Sequence, residues 1–103
     1  MRILLMFLGL FSLSLHATQS GKEIYQKYCT VCHQSGLAGA PKFHSKTEWL
    51  SRCKQKKLKG LVESAVKGIN AMPAKGTCEM CQPDDILQAI KYMVPEDEPQ
   101  CHS

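Results

Sequence analysis

The chain has 103 residues, 44% of them hydrophobic, and a formal charge of +4, which allows one domain with a modest core. So mild a positive excess, without a concentrated basic face or a recognition motif, excludes nucleic acid as a partner. Six cysteines in so short a chain imply that a cofactor, disulfides or both supplement the core.

Residues 1–17 read as a secretory signal peptide: Arg2 begins it, residues 3–15 are almost unbroken apolar sequence, and Leu15-His16-Ala17 offers a cleavage site. Its removal lowers the formal charge from +4 to +3. The apolar run falls short of the roughly 20 residues of a spanning helix. The first cysteine, Cys29, lies far from the cleavage point, so no lipid anchor is expected either. The expected product is exported to the periplasm without a membrane anchor, with a folded domain over residues 18–94 and an acidic C-terminal tail over 95–103.

Ser20 followed by Glu23 predicts a capping box and a first helix from about Gly21, with Ile24, Tyr25, Tyr28 and Cys29 along one side. It delivers Cys29, Cys32 and His33 into a loop over 34–44 that contains Gly36, Gly39 and Pro41. A second box, Ser45 with Glu48, opens a short helix bearing Trp49, Leu50 and Cys53. A third helix follows the basic stretch of residues 52–59, with apolar positions Leu58, Leu61, Val62, Ala65, Val66 and Ile69, and ends near Gly68. Residues 69–82 lack a period and read as a loop. The last helix opens at Pro83 with Asp84 and Asp85 in its first turn and buries Ile86, Ala89, Ile90 and Met93. Four helices and no strand give an all-α class.

Cys29-Thr30-Val31-Cys32-His33 is the C-x-x-C-H pattern of haem c attachment. On a helix, positions i and i+3 face the same way, so two thiols reach two vinyl groups of one haem while the next residue offers an imidazole to the iron. A methionine sulfur opposite would favour the ferrous form. Met93 belongs to a buried stripe and Met80 to a tight C-x-x-C loop, which leaves Met72, fixed by Pro73, as the expected distal ligand; His44 is the rival. A plain disulfide between Cys29 and Cys32 leaves His33 and Met72 unexplained. A zinc site from Cys29, Cys32, Cys78 and Cys81 has far wider spacing than usual ribbons, and no βαβ pattern supports a thioredoxin-like exchange site.

The chain resembles the small bacterial class I cytochromes c, and the cytochrome c5 family in particular. The resemblance rests on Gly21-Lys22 before the haem motif, Gly39-Ala40-Pro41-Lys42 after it, Trp49 and Arg52, Met72-Pro73, Lys75-Gly76, and the pair Cys78 and Cys81, over about residues 20 to 94. It implies a class I fold of about four helices around one covalently bound haem c. His33 and Met72 would be the iron ligands, with the Pro41 carbonyl receiving the hydrogen bond of His33 and Trp49 packed against the haem edge. First and last helices would cross, with Gly21 or Tyr25 near Tyr92. Ala74 and Thr77 depart from the family's common M-P-P-K-G-G-C, and Phe43-His44 replaces a small polar turn.

A local disulfide between Cys78 and Cys81, also suggested by the resemblance, would stiffen the distal loop. Cys53 and Cys101 lie outside the family pattern. Seven residues beyond Val94 span about 23 Å when extended, so a bridge from Cys101 to Cys53 is in reach and would lay Glu96, Asp97 and Glu98 near the basic stretch; a free buried Cys53 or a Cys101-linked dimer are the other outcomes. The expected function is that of a monomeric one-electron carrier between redox proteins, membrane respiratory complexes among them, with no catalytic residue of its own. The rival functions are a haem-based sensor and a peroxidase-like enzyme, both of which need a labile distal ligand.

Overall fold

The computed structural model describes Gly9 and residues 20–103, so the expected signal peptide lies, Gly9 apart, outside the described residues. Among the described residues the architecture is helical, and the one extended pairing is an isolated bridge between Ile69 and Met72. No helix among them is long and apolar enough to cross a membrane.

Helix α1, Gly21–Ile24, starts behind Ser20, whose hydroxyl accepts from the Glu23 N–H at 3.3 Å. The chain then widens into a π-helical turn over Tyr25–Cys29, in which the Thr30 N–H reaches back five residues to the Tyr25 carbonyl. The Thr30 hydroxyl donates to that same carbonyl at 2.9 Å, helping to hold the wide turn open. Helix α2, Thr30–His33, completes the run.

Helix α3, Lys46–Lys67, contains both of the helices expected between residues 45 and 69. They run end to end and break at Lys57, where φ is 57°. The Leu58 N–H, released from the helical ladder by the break, donates to the Ser103 carbonyl at 3.1 Å. The expected box at Ser45 does not form: the hydroxyl lies 3.4 Å from Thr47 Oγ1 and makes no capping bond. Gly68 ends the helix at φ 88°, and a Cβ there would stand 3.0 Å from both Ala74 N and the Met72 carbonyl oxygen. Only glycine meets both the dihedral and the space.

Helix α4, Pro83–Met93, buries Ile86, Ala89, Ile90 and Met93, and its first turn is closed by the Asp85 carboxylate accepting from the Gln82 N–H at 2.8 Å. α1 crosses it at Gly21, where a Cβ would come within 2.1 Å of the Gln88 carbonyl oxygen. That contact lets Ile24 and Tyr25 sink into a core shared with Trp49, Leu58, Leu61, Ala65 and Ile90. Burying a side chain such as Ile24, 1% exposed, contributes about 1.5–3 kcal/mol.

Residues 95–103, expected as a tail, pack as part of the domain. Val94 and Cys101 are fully buried, and the Cys101 sulfur is joined to Cys53 with Cα atoms 4.9 Å apart. The segment runs parallel to α3, with Asp97 on Lys46 at 2.6 Å, Cys101 on Cys53 and Ser103 on Leu58. Asp97 therefore precedes the bridge and meets the start of α3, which corrects its expected place beside residues 52–59.

Candidate functional site

The π-helical turn separates two tasks of one helical run. Where it begins, Ile24 and Tyr25 are buried; from its last residue onward, Cys29 and Cys32 are half-buried and both thiols are free. Val31, between them, is 73% exposed. Burial, with the nearby Cys32 second, pushes the Cys29 thiol up to about 11, so it is uncharged at neutral pH. Exchange-type cysteines have the opposite character, a depressed pKa and a ready thiolate.

His33 is buried at 6% exposure, and its Nδ1–H donates to the Pro41 carbonyl at 2.8 Å. A carbonyl can only accept, so this bond fixes the tautomer and leaves the Nε2 lone pair free. Burial holds His33 below its ordinary pKa, and the Arg52 charge acts in the same direction against the opposing Pro41 bond. The ring is thus neutral and directional, as a metal ligand requires. Trp49 is buried with its ring nearly parallel to that of His33, centroids 6.0 Å apart, and its Nε1–H donates to the Lys42 carbonyl at 2.9 Å.

Met72 is half-buried against the core and closes a tight turn: Ile69 N–H donates to the Met72 carbonyl at 3.1 Å and Met72 N–H to that of Ile69 at 2.8 Å. Met80 is 74% exposed and Met93 lies buried inside α4. His44, the rival ligand, instead has its Nε2 on the Tyr92 carbonyl at 2.9 Å. A Cβ at Gly76, in the loop that follows Met72, would stand 3.5 Å from the Tyr28 carbonyl oxygen. Distal loop and attachment helix are therefore neighbours.

Cys78 and Cys81 are buried and joined to each other, with Cα atoms 5.4 Å apart, which removes them from a four-sulfur zinc arrangement. The donor set that remains, two free thiols, one neutral imidazole and one thioether, fits haem c. The expected approach of Tyr25 to Tyr92 is present, with ring centroids 5.5 Å apart, but sequence reasoning missed the π-helical turn and the insertion of Phe43 and His44 beside that pair. Phe43 contacts Tyr25 at 4.9 Å and Tyr92 at 5.2 Å between ring centroids, and stacks on His44 at 3.8 Å. Aromatic residues at 43 and 92 beside the expected helix crossing were the available signal.

Comparison with known proteins places this chain in a family. The family model described as "Cytochrome C oxidase, cbb3-type, subunit III" matches residues 16–93. Cytochrome c5 of Ectopseudomonas mendocina is 42% identical over 76 residues, covering 73% of this chain and 87% of that protein. Cytochrome c5 of Azotobacter vinelandii is also 42% identical, with 92% of its length covered. A mono-haem ferrocytochrome c from Shewanella putrefaciens superposes with a TM-score of 0.66 at 44% identity, covering 73% of this chain and 91% of that one. A chain from an electron transfer complex of nitrite reductase with cytochrome c gives the same TM-score at 31% identity, covering 79% and 93%. With its helical fold, its free thiol pair and these relatives, the chain belongs to the class I cytochromes c, is similar to cytochrome c5, and carries one covalently bound haem c.

Proposed function

We propose that this chain is a periplasmic one-electron carrier in which Cys29 and Cys32 hold the haem through thioethers and His33 and Met72 complete the iron. The observation that carries the reading is the His33 imidazole, buried, neutral and fixed by Pro41 with Nε2 left free, one residue beyond two unpaired thiols. Residues 1–17 serve as the export signal.

When bound, haem c supplies an iron that changes by one electron between ferrous and ferric states. The chain's own residues set the conditions. The Pro41 carbonyl orients His33 and raises its basicity. Trp49 closes the proximal side next to His33. The turn of residues 69–72, pinned by two backbone hydrogen bonds, restricts where the Met72 sulfur can lie. With His33 and Met72 both available to hold the iron, the chain would need no acid or base beside it and would act on no substrate. Its partners are redox proteins that deliver and remove electrons, respiratory complexes among them, as the neighbour solved with nitrite reductase illustrates for its own pair.

The test uses protein matured in a periplasm with a haem-attachment system. Intact mass should rise by one haem that denaturation does not release, and the ferric protein should show the sulfur-to-iron absorption band. Met72→Ala should lose that band and bind CO readily. A wild-type protein that lacks the band and binds CO would instead support a sensor or a peroxidase-like enzyme.

A further inference from the structure

His44 stands at φ 58°, in the left-handed region that residues with a Cβ seldom occupy. Such a conformation persists where neighbours over-determine it. Here two bonds do so, both to the end of α4: the His44 N–H donates to the Met93 carbonyl at 2.9 Å and the imidazole Nε2 reaches the Tyr92 carbonyl at 2.9 Å. A carbonyl accepts only, so the ring carries its proton on Nε2. Both acceptors are last-turn carbonyls, the groups a helix leaves without partners of its own.

The neighbouring residues tie the same short segment to the haem side. Phe43 N–H donates to the His33 carbonyl at 2.7 Å, Lys42 carbonyl accepts from Trp49 Nε1–H, and Pro41 carbonyl accepts from His33 Nδ1–H at 2.8 Å. Four consecutive residues, 41–44, thus alternate between the proximal histidine and the frame formed by α3 and α4. Phe43 lies between the rings of Tyr25, Tyr92 and His44, so the segment is also packed.

We propose that His44 is a positioning residue for the proximal ligand: by donating to the Tyr92 carbonyl it latches the 41–45 turn onto α4 and so holds the Pro41 carbonyl on His33 Nδ1. The latch sets the haem potential through the basicity of His33, at a distance from the iron. This inference rests on His33 being the proximal ligand.

The test compares wild-type holoprotein with His44→Gly and His44→Gln. Glycine accepts the positive φ without strain, so that variant should fold and keep its haem and its sulfur-to-iron band while losing the latch. The His33 Nδ1 proton, followed by NMR, should then exchange with solvent roughly fivefold faster, the factor carried by one typical net hydrogen bond. The reduction potential should rise, because a looser Pro41 bond makes the imidazole a weaker donor. His44→Gln retains an N–H donor and should restore both readouts towards wild type, which a purely structural role would not do. If His44→Gly keeps the wild-type potential and proton exchange in a His33-ligated protein, this inference alone fails. A wild-type protein shown to use a different proximal ligand overturns both it and the site assignment.

Discussion

The pairs Cys29/Cys32 and Cys78/Cys81 have the same two-residue gap, yet the first stays open on a helix with half-buried thiols and the second is closed and buried in a loop. Distance does not separate them, since residues three apart on a helix are also neighbours. Direction does. Cys29 ends the wide turn and Cys32 lies in α2, and the hydrogen-bonded helical backbone keeps the two side chains on one side of the run without joining them. In the loop, Thr77 at φ 71° and the free dihedrals around Glu79 and Met80 let the two sulfurs turn towards each other. A C-x-x-C spacing therefore reports chemistry only together with the backbone that carries it.

The largest effect that tests this contrast comes from removing the open pair. Cys29→Ser with Cys32→Ser should abolish covalent haem attachment, measured as loss of the mass increment and of colour after denaturation. Serine at both Cys78 and Cys81 should leave attachment intact.

Stability ranks the closed bridges the other way from their visibility in the family. Loop-closure entropy assigns about 4 kcal/mol to a bridge with the Cys53–Cys101 separation of 48 and about 2 kcal/mol to one with the Cys78–Cys81 separation of 3. Paired Cys→Ser variants, followed by denaturant unfolding of the holoprotein, should lose stability in that order; equal losses would show that native-state contacts, not chain entropy, dominate.

Gly21→Ala tests the support of the open pair. Its Cβ would meet the backbone of Gln88 at 2.1 Å and 2.5 Å, where no side chain can yield, so α1 and α4 have to separate. Overpacking of this kind costs about 1–3 kcal/mol, read as a fall in thermal midpoint without loss of haem.

The smallest effect concerns the strap. Lys46 holds the Asp97 carboxyl below its ordinary 3.8, so this ion pair contributes above that value and is lost as pH falls through the lower folded value. The pair is exposed, so the change should appear as local fraying of residues 95–98 in amide exchange at acid pH, reduced by added salt.

Much of this was legible in advance because it depends on local chemistry. The stripe of Ile86, Ala89, Ile90 and Met93 is a helical period, and all four are buried. Gly68 closes α3 because its backbone needs a positive φ. Two further features follow from the family resemblance: the Gly21 crossing and the bond from His33 to Pro41 both appear in the structure. What escaped depends on tertiary context. Ser45 has the residues of a capping box, but its hydroxyl points to Thr47. The break at Lys57 falls in a polar stretch with no glycine or proline, and it is satisfied by a carbonyl 45 residues away, at Ser103, which no local pattern announces.

The wide turn at Tyr25–Cys29 spends about one residue more than an α-helical turn on nearly the same rotation. A residue accommodated in this way leaves its flanks facing as they would without it, so deleting exposed Gln26 should return the segment to ordinary winding with Cys29, Cys32 and His33 still near their present side. Homologous chains aligned through this region should therefore tolerate a one-residue gap here more readily than within Thr30–His33, where no wide turn absorbs it.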